Sequence, residues 1–470
     1  MATGRLLSFF FDKVKKNKIL TIFFLIIAAQ QIFFILKFPP VYEADTATYI
    51  EPANQILENK TFYSDMRVPG YPVMIAAATK AAGPHTAMAI VIFQHLLGLL
   101  MWLMTISILK TRRMQIIFSV LWLMDMLFNS YQHVILPDFM LSFLLFSSAA
   151  FLYIGKNTNI SHRNFLLSGL FLAMALLTKP VMYLFFIFAV PIFYFLKGGI
   201  RKKTAHYAVF AILPLLAINI NCFNNYIHTG KYSFLTFSGS YSFFTFINFI
   251  EPGNSRLAPF FDKTVLHRPM GNEEKIKVSA EIERKILSSG YKPEEIDSEF
   301  KKIFIRSVIR HPVIFAKKTI YETAHFFLNA HNQYAKHYSE NMAFNLGEAV
   351  KKGDYRAAFR KFLYSMHFFY WVVFLLFAAY LVITILHALK NRKHNTDTSS
   401  APYEKYFFEI YSMWLIFYIT AVTVLTCQGD ARYRVPLQPF MLYFAAISAD
   451  RLISSIKNRK KSIPLQQSHA

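Results

Sequence analysis

The fold class of this 470-residue chain is decided by two apolar stretches, ILTIFFLIIAAQQIFFILKF (Ile19–Phe38) and FYWVVFLLFAAYLVITILHAL (Phe369–Leu389). A helix needs about 20 apolar residues to cross the ~30 Å hydrocarbon core of a bilayer, and each stretch is that long. Lys37 is the only Asp, Glu, Lys or Arg residue in either stretch. The sequence therefore predicts an all-α protein that crosses a membrane several times.

The composition supports this prediction and excludes other classes. Hydrophobic residues make up 54% of the chain and charged residues only 17%, whereas soluble domains carry roughly a quarter charged residues. A soluble protein, a coiled coil and a disordered chain are excluded. The net charge is +24, but basic nucleic-acid-binding proteins do not devote half their length to lipid-facing helices. We therefore expect membrane lipids, and no nucleic acid, as partners of the basic residues.

Apolar runs separated by polar breaks predict about ten transmembrane helices, near 19–38, 86–109, 115–136, 138–155, 165–178, 180–197, 205–222, 366–389, 406–427 and 434–453. The run at 70–82 is too short to span comfortably and is predicted to be interfacial or re-entrant. With the N-terminus in the cytoplasm, the cytoplasmic segments hold 23 Lys and Arg residues and the short outer segments hold 7. The positive-inside rule then places both ends in the cytoplasm.

This topology divides the chain into three parts. Residues 1–222 form an N-terminal transmembrane core whose first outer loop carries the candidate catalytic segment, and 366–470 form the C-terminal transmembrane helices with a basic cytoplasmic tail. The long segment 223–365 is predicted to be an extracytoplasmic helical domain. In it, Gly290 is suited to end one helix, Pro293 to begin a second, and His311-Pro312 to separate that helix from a third.

Charged residues of the short outer segments lie close to the ends of the predicted spans. They are Glu43, Asp45, Glu51, Asp65 and Arg67 in the first loop, followed by Asp138, Lys179, Asp430, Arg432 and Arg434. A charge near a membrane is costly unless it is solvated, paired or functional. Several separate outer connections thus bring both signs of charge to one membrane face, which predicts a site there.

The first outer loop is predicted to form an amphipathic helix that lies on the membrane. Tyr49, Ile50, Ala53, Ile56 and Leu57 share one face of such a helix. Thr48 and Glu51 have the spacing of a capping box. Asp45 comes just before this helix, where the positive end of the helix dipole favours an ionised carboxylate.

These residues resemble the C-type (GT-C) membrane glycosyltransferases, and within them the branch of protein O-mannosyltransferases and bacterial lipid A aminoarabinose transferases. The resemblance covers residues 19–453 and rests on Asp45-Thr-Ala-Thr-Tyr49 with Ala53, Arg67-Val-Pro-Gly-Tyr71-Pro, Leu136-Pro-Asp138, Leu177-Thr-Lys179-Pro, Arg310-His-Pro312 and Arg432-Tyr433-Arg434-Val-Pro. Each motif alone is weak. Their order along the chain, with all of them on the outer face, makes the combination more specific.

The resemblance implies a transferase that moves a hexose or pentose from a polyprenyl-phosphate donor to a lipid, glycan or protein acceptor. It implies Asp45 as the general base, with Asp138 orienting the acceptor or a cation. The residues implied to bind the donor phosphate are Arg67, Lys179, Arg432 and Arg434, and those implied to line the substrate are Tyr49, Tyr71 and Tyr433. The implied location is the bacterial inner membrane, with the site on its periplasmic face.

Some assignments stay open at this stage. Family members often have adjacent Asp and Glu residues in the first loop, whereas Glu43 and Asp45 are separated here, so either acid is a candidate base. No cofactor is required, but a divalent cation held by Glu43, Asp45 and Asp138 is an alternative. Asp125, within a predicted span, is expected to be structural.

Two other classes of function compete with the transferase. A secondary transporter or lipid flippase commonly has two similar halves with broken helices that meet at mid-membrane, whereas this sequence has no repeat. An assembly partner that docks through 223–365 leaves the charges of the outer face unexplained. The sequence does not identify the sugar, the acceptor, the length of the polyprenol or the oligomeric state.

Overall fold

The computed structural model describes residues 14, 17–64, 66–157, 162–194, 196, 199–235, 251–261, 272–329, 350–354, 367–392, 407–426 and 430–462. The helices of the first half are α1 (Lys18–Lys37), α2 (Ala47–Asn59), α3 (Gly70–Ala82), α4 (Thr86–Ile108), α5 (Arg112–Met124), α6 (Met126–Ser130), α7 (Pro137–Asn157), α8 (His162–Thr178), α9 (Phe185–Phe188), α10 (Val190–Phe193) and α11 (Ile200–Thr229). The second half contains α12 (Asn272–Ser288), α13 (Pro293–Arg310), α14 (Pro312–Leu328), α15 (His367–Arg392), α16 (Phe407–Thr426), α17 (Ala431–Arg434) and α18 (Gln438–Ser462). Short 3-10 turns lie at Gly83–His85, Pro180–Met182, Ala258–Phe260 and Val435–Leu437.

The described part of the chain contains helices and no strand; its one β-bridge pairs Val41 with Val134 in parallel. Five helical segments are long and apolar enough to cross a membrane, namely Lys18–Lys37, Gly70–Ile108, Ile200–Thr229, Phe368–Leu386 and Phe407–Leu425. Shorter apolar helices cover Pro137–Tyr153, His162–Thr178 and Pro180–Phe193. The predicted fold class, an all-α polytopic membrane protein, is confirmed, while the number of ten spans remains a prediction.

Two predicted spans are interrupted helices. The span at 115–136 ends at Asp125, whose carboxylate accepts hydrogen bonds from the Phe128 amide and the Tyr370 hydroxyl, both at 3.0 Å. Asp125 thereby caps the short helix α6 and is fully buried. The span at 180–197 is divided into a 3-10 turn and the short helices α9 and α10, with Pro191 in the first turn of α10. The prediction of one continuous helix was wrong in both cases.

The helices between residues 272 and 328 agree with their predicted boundaries. Helix α12 ends at Ser288, and Gly290 follows with a φ of 86°, a left-handed conformation that favours glycine. Helix α13 begins at Pro293 and ends at Arg310. The chain breaks at His311, and α14 begins at Pro312. Leu257, Ile286 and Phe300 are buried in a small core between these elements.

Small residues allow close approaches that position the outer loops. A side chain on Gly70 would bring its Cβ within 2.6 Å of the Leu177 carbonyl oxygen, so the start of α3 lies directly against the end of α8. Gly169 brings α8 even closer to the Phe210 carbonyl oxygen of α11. Because Lys179 follows α8 immediately, the contact at Gly70 fixes Lys179 beside the first outer loop.

Candidate active site

The loop that carries Asp45 is pinned by its backbone to the segment that leads into α7. The Val41 amide donates to the His133 carbonyl at 2.8 Å, and the Ile135 amide donates to the Val41 carbonyl at 3.0 Å. The Thr46 hydroxyl donates to the Ile135 carbonyl at 3.2 Å. These bonds hold Asp45, before α2, close to Asp138, in the first turn of α7.

Asp138 is the buried centre of the cluster. Its side chain has no exposed surface, and one carboxylate oxygen lies 2.5 Å from Lys179 Nζ. The other oxygen lies 3.2 Å from Arg432 Nε. A buried carboxylate is stable only when it is paired, so Asp138 fixes the positions of these two cations.

Arg432 bridges the two acids. Its Nη1 lies 2.7 Å from Asp45 Oδ2 while its Nε bonds Asp138. The turn that presents Arg432 is capped by Asp430, which accepts a hydrogen bond from the Arg432 amide at 2.8 Å. This guanidinium therefore joins the first outer loop to the residues that precede the last helix.

Arg67 approaches Asp45 from the other end of the first loop. Its Nη2 lies 3.5 Å from Asp45 Oδ1, and its Nε donates to the Thr48 hydroxyl at 2.8 Å. The guanidinium carbon lies 4.3 Å from the centre of the Tyr49 ring, within the range of a cation–π contact. Arg67 and Arg432 thus flank the two oxygens of Asp45.

Three tyrosines form the walls beside these charges. Tyr49 and Tyr71 pack edge to face, with ring centres 5.4 Å apart. The face of the Tyr433 ring contacts the cations, with Lys179 Nζ at 4.8 Å from the ring centre. The hydroxyl of Tyr71 is buried and has no hydrogen-bond partner among the residues that the structure describes.

The electrostatics of the cluster keep Asp45 ionised. Burial of this carboxyl opposes ionisation, but the charges of Arg432 and Arg67 outweigh burial and hold its pKa below the usual value of 3.8. Burial raises the pKa of Tyr49 to about 12, so its hydroxyl stays protonated at neutral pH. Three cations, Arg67, Lys179 and Arg432, surround two carboxylates. Among the side chains joined by these ion pairs, cations outnumber carboxylates by three to two, and the Asp45 side chain is 38% exposed.

The structure places Arg434 away from this cluster. Its side chain is fully buried, and it donates hydrogen bonds to the carbonyls of Phe326, Phe327 and Asn329 at the end of α14. Its guanidinium also lies 4.9 Å from the centre of the Tyr370 ring. Arg434, predicted from the sequence to hold the donor phosphate, instead fastens the end of α14 to α17.

The remaining sequence-predicted acids lie outside the cluster or outside the described residues. Glu43 lies at the start of the loop, and its backbone amide donates to the Thr46 hydroxyl at 2.9 Å; Asp45 is the acid that the two arginines contact. Glu51 is exposed, and Asp65 falls outside the described residues. The predicted capping box is also wrong: α2 begins at Ala47, with Thr46 at its N-cap. Thr48 contacts Arg67, a role indicated in the sequence only by its closeness to Asp45.

The residues of the cluster do not fit a divalent cation. Of the three acids predicted to ligate it, Glu43, Asp45 and Asp138, the last two are already bonded to guanidinium or ammonium groups. Within the described residues, no three His, Cys, Asp or Glu side chains are grouped so that they would hold a metal ion.

No family model matches this chain, and no curated protein matches it significantly in sequence. Among solved structures, it is similar to the Archaeoglobus fulgidus oligosaccharyltransferase in its apo form, with a TM-score of 0.48 and 11% identity over 93% of this chain and 51% of that one. It is also similar to the archaeal oligosaccharyltransferase AglB of Archaeoglobus fulgidus in complex with an inhibitory peptide and a dolichol-phosphate (TM-score 0.46, 12% identity, 95% and 52% covered). The chain spans about half the length of these structures. A likeness at this level does not identify a shared activity, and the predicted O-mannosyltransferase or aminoarabinose transferase branch remains a prediction.

Proposed function

We propose that the protein is a C-type glycosyltransferase that moves a hexose or pentose from a polyprenyl-phosphate donor to a lipid, glycan or protein acceptor. The observation that carries the proposal is the convergence of Arg67, Lys179 and Arg432 on Asp45 and Asp138. Two cations would be enough to neutralise the two carboxylates, so the third is not needed for charge pairing. The surplus cation and the exposed edge of Asp45 suit an anionic ligand that enters from outside.

The phosphate of the donor is proposed to bind to Arg432, Arg67 and Lys179. Guanidinium groups hold phosphate oxygens in pairs, and cations fixed before the reaction stabilise the charge that develops on a leaving phosphate. Buried Asp138 is proposed to be a positioning residue, because it holds Lys179 and Arg432 in place from behind. Tyr49, Tyr71 and Tyr433 are proposed to line the sugar and the acceptor.

Asp45 is proposed to act as the general base. The acceptor oxygen or nitrogen attacks the anomeric carbon of the sugar, the bond from that carbon to the phosphate oxygen breaks, and the polyprenyl phosphate leaves with the bonding electrons. The acceptor's proton passes to the Asp45 carboxylate. A bound phosphate shares the charge of Arg432 and Arg67, so the same event that delivers the donor makes Asp45 a stronger base.

The site is proposed to face the periplasm of a bacterial inner membrane. The basis is the excess of Lys and Arg in the segments assigned to the cytoplasm. Polyprenyl-phosphate sugars whose headgroups reach that face would be the donors. The long segment 223–365, which is proposed to lie on the same side, would be positioned to meet the acceptor.

The proposal is tested by incubating the purified full chain with a panel of radiolabelled polyprenyl-phosphate sugars and membrane extracts that contain acceptors. Transfer of label, lost in Asp45→Asn, is the expected result. The same protein is reconstituted in vesicles to follow movement of the donor across the bilayer. Movement of intact donor without transfer would contradict the proposal and support the transporter reading.

A further inference from the structure

A cavity of about 190 Å³ lies at the end of the helices that is opposite to the Asp45 cluster. Helix α18 begins at Gln438, next to the turn that holds Arg432, and Arg451 of the cavity wall lies 13 residues further along this helix, roughly 20 Å away at 1.5 Å per residue. Helix α16 contributes Glu409 from its first turn, whereas its far end leads towards Asp430. The cavity is thus separate from the proposed active site.

The polar part of the cavity wall carries a net positive charge. Lys110 and Arg451 contribute two cations, and Glu409 contributes one acid. The Glu409 carboxylate is buried and accepts a hydrogen bond from the Tyr443 hydroxyl at 3.2 Å. Arg451 is held over the Tyr380 ring at 5.1 Å from its centre. Arg451 is therefore held at the wall, and the acid is already bonded to Tyr443.

The opposite part of the wall is apolar. Leu109, at the end of α4, and Ile447, on α18, are almost fully buried, and Met114 of α5 completes this side. The cavity lies where α4 ends and α5 begins, next to the basic run Lys110–Arg113. Such a run marks the depth of the lipid headgroups at a membrane face. A pocket with cations at headgroup depth and apolar side chains beside them matches an anionic amphiphile.

We infer that this cavity binds the phosphate headgroup of an anionic phospholipid from the leaflet opposite to the proposed active site. Lys110 and Arg451 pair with the phosphate, while Leu109, Met114 and Ile447 contact the start of an acyl chain. Basic pockets between transmembrane helices recognise headgroups in this manner. Neighbouring Arg113 is neutralised by Asp450 at 3.2 Å, so the charge that selects the headgroup comes from the cavity itself. The inference does not depend on the proposed transferase activity.

The test compares phosphatidylglycerol with phosphatidylcholine of identical acyl chains, added to the delipidated full chain in a neutral detergent. Retained lipid is measured by native mass spectrometry, and the thermal unfolding temperature is measured in parallel. We expect phosphatidylglycerol to be retained and to raise the unfolding temperature. In Lys110→Gln/Arg451→Gln, the apparent Kd for phosphatidylglycerol is expected to weaken about 30-fold, at the contribution typical of two basic side chains near an anionic lipid.

Arg112→Gln/Lys457→Gln is the matched control, because both residues are exposed, lie close to the same membrane face and line no part of the cavity. An equal loss in this control would show diffuse attraction to the basic face and overturn the inference. Equal retention of the two lipids would overturn it as well. If inorganic phosphate alone raised the unfolding temperature equally, the ligand of the cavity would be a free anion and not a lipid. Ile447→Phe narrows the cavity without removing a charge. We expect this variant to retain less phosphatidylglycerol, which tests the site even if the double variant fails to fold.

Discussion

Arg432 and Arg434 lie on one helical turn and extend to opposite sides of it. Residues two positions apart in the sequence are about 200° apart around the axis of an α-helix. Arg432 contacts Asp45 and Asp138 in the cluster, whereas Arg434 is buried against the carbonyls that end α14. One turn thus connects the proposed active site to the end of α14, and substitutions of the two arginines are expected to have different effects.

Arg432→Ala is predicted to weaken use of the donor, while Lys179 keeps the buried Asp138 paired and limits the loss of stability. The variant loses a charge-assisted hydrogen bond to phosphate, which corresponds to about 10–100-fold in affinity. Arg432→Lys should recover only part of the donor affinity, because an ammonium does not make the paired contact of a guanidinium. Donor affinity and thermal unfolding are measured together, with the exposed Lys80→Ala as a control for loss of charge. Full turnover of Arg432→Ala at limiting donor would rule out the phosphate-binding role.

Arg434→Ala is predicted to destabilise the protein instead. It leaves three carbonyl groups, of Phe326, Phe327 and Asn329, without their donor, at about 1–3 kcal/mol for each group that stays buried. We expect a lower unfolding temperature and a lower yield of monodisperse protein. Normal unfolding combined with impaired donor binding would return Arg434 to the phosphate-binding role predicted from the sequence.

Asp45→Asn is predicted to fold and bind donor but to transfer sugar about 10²–10⁴ times more slowly, the usual effect of losing a general base. Asn has nearly the size of Asp but does not accept the proton. Single-turnover transfer and donor affinity are measured side by side. Glu43→Gln is the control and should be milder; an inactive Glu43→Gln with an active Asp45→Asn would move the base to Glu43.

The pH profile of transfer is predicted to change when Arg432 is removed. Arg432 and Arg67 hold the pKa of Asp45 below 3.8 against the effect of burial. Protonation of Asp45 therefore inactivates the wild-type enzyme only at a pH below that value. Without Arg432 the pKa of Asp45 rises, so the acidic limb of residual kcat/KM should move to higher pH. An unmoved limb in Arg432→Ala would assign it to a different group.

The topology is predicted to have both chain ends in the cytoplasm. In a background in which Cys222 and Cys427 are replaced by Ser, a membrane-impermeant thiol reagent should label Ser289→Cys in intact cells. Ser289 is exposed beside the end of α12. Ser399→Cys, between the predicted spans 366–389 and 406–427, should be labelled only after permeabilisation. The reverse pattern would invert the protein and place the proposed site in the cytoplasm.

Local signals in the sequence predict local structure well. Gly290, Pro293 and His311-Pro312 each act on a few neighbouring residues, and the helices that they bound are confirmed. The break at Asp125 escaped prediction because hydropathy alone does not show that a carboxylate inside an apolar run caps a new helix. A single acid in a span is better interpreted as a possible helix end.

Direction and pairing of side chains are harder to predict. The sequence places Arg432 and Arg434 at the same face of the membrane, yet which of them reaches the acids depends on α17 being a helical turn and on where α14 ends. The backbone bridge between Val41 and Val134 could not be predicted from the sequence either, because it joins two short segments with no strand pattern. These features depend on contacts between distant parts of the chain.

Two kinds of bond hold the cluster together, main-chain hydrogen bonds and ion pairs. Main-chain hydrogen bonds at Val41 and Ile135 join the loop that carries Asp45 to the segment before Asp138. The described contacts of Arg432 with both acids are ion pairs. Dissolved salt weakens attraction between partly exposed charges and leaves main-chain bonds almost untouched. Rising ionic strength would therefore weaken the contact of Arg432 with the partly exposed Asp45 first, while its pair with the buried Asp138 and the main-chain bonds persist.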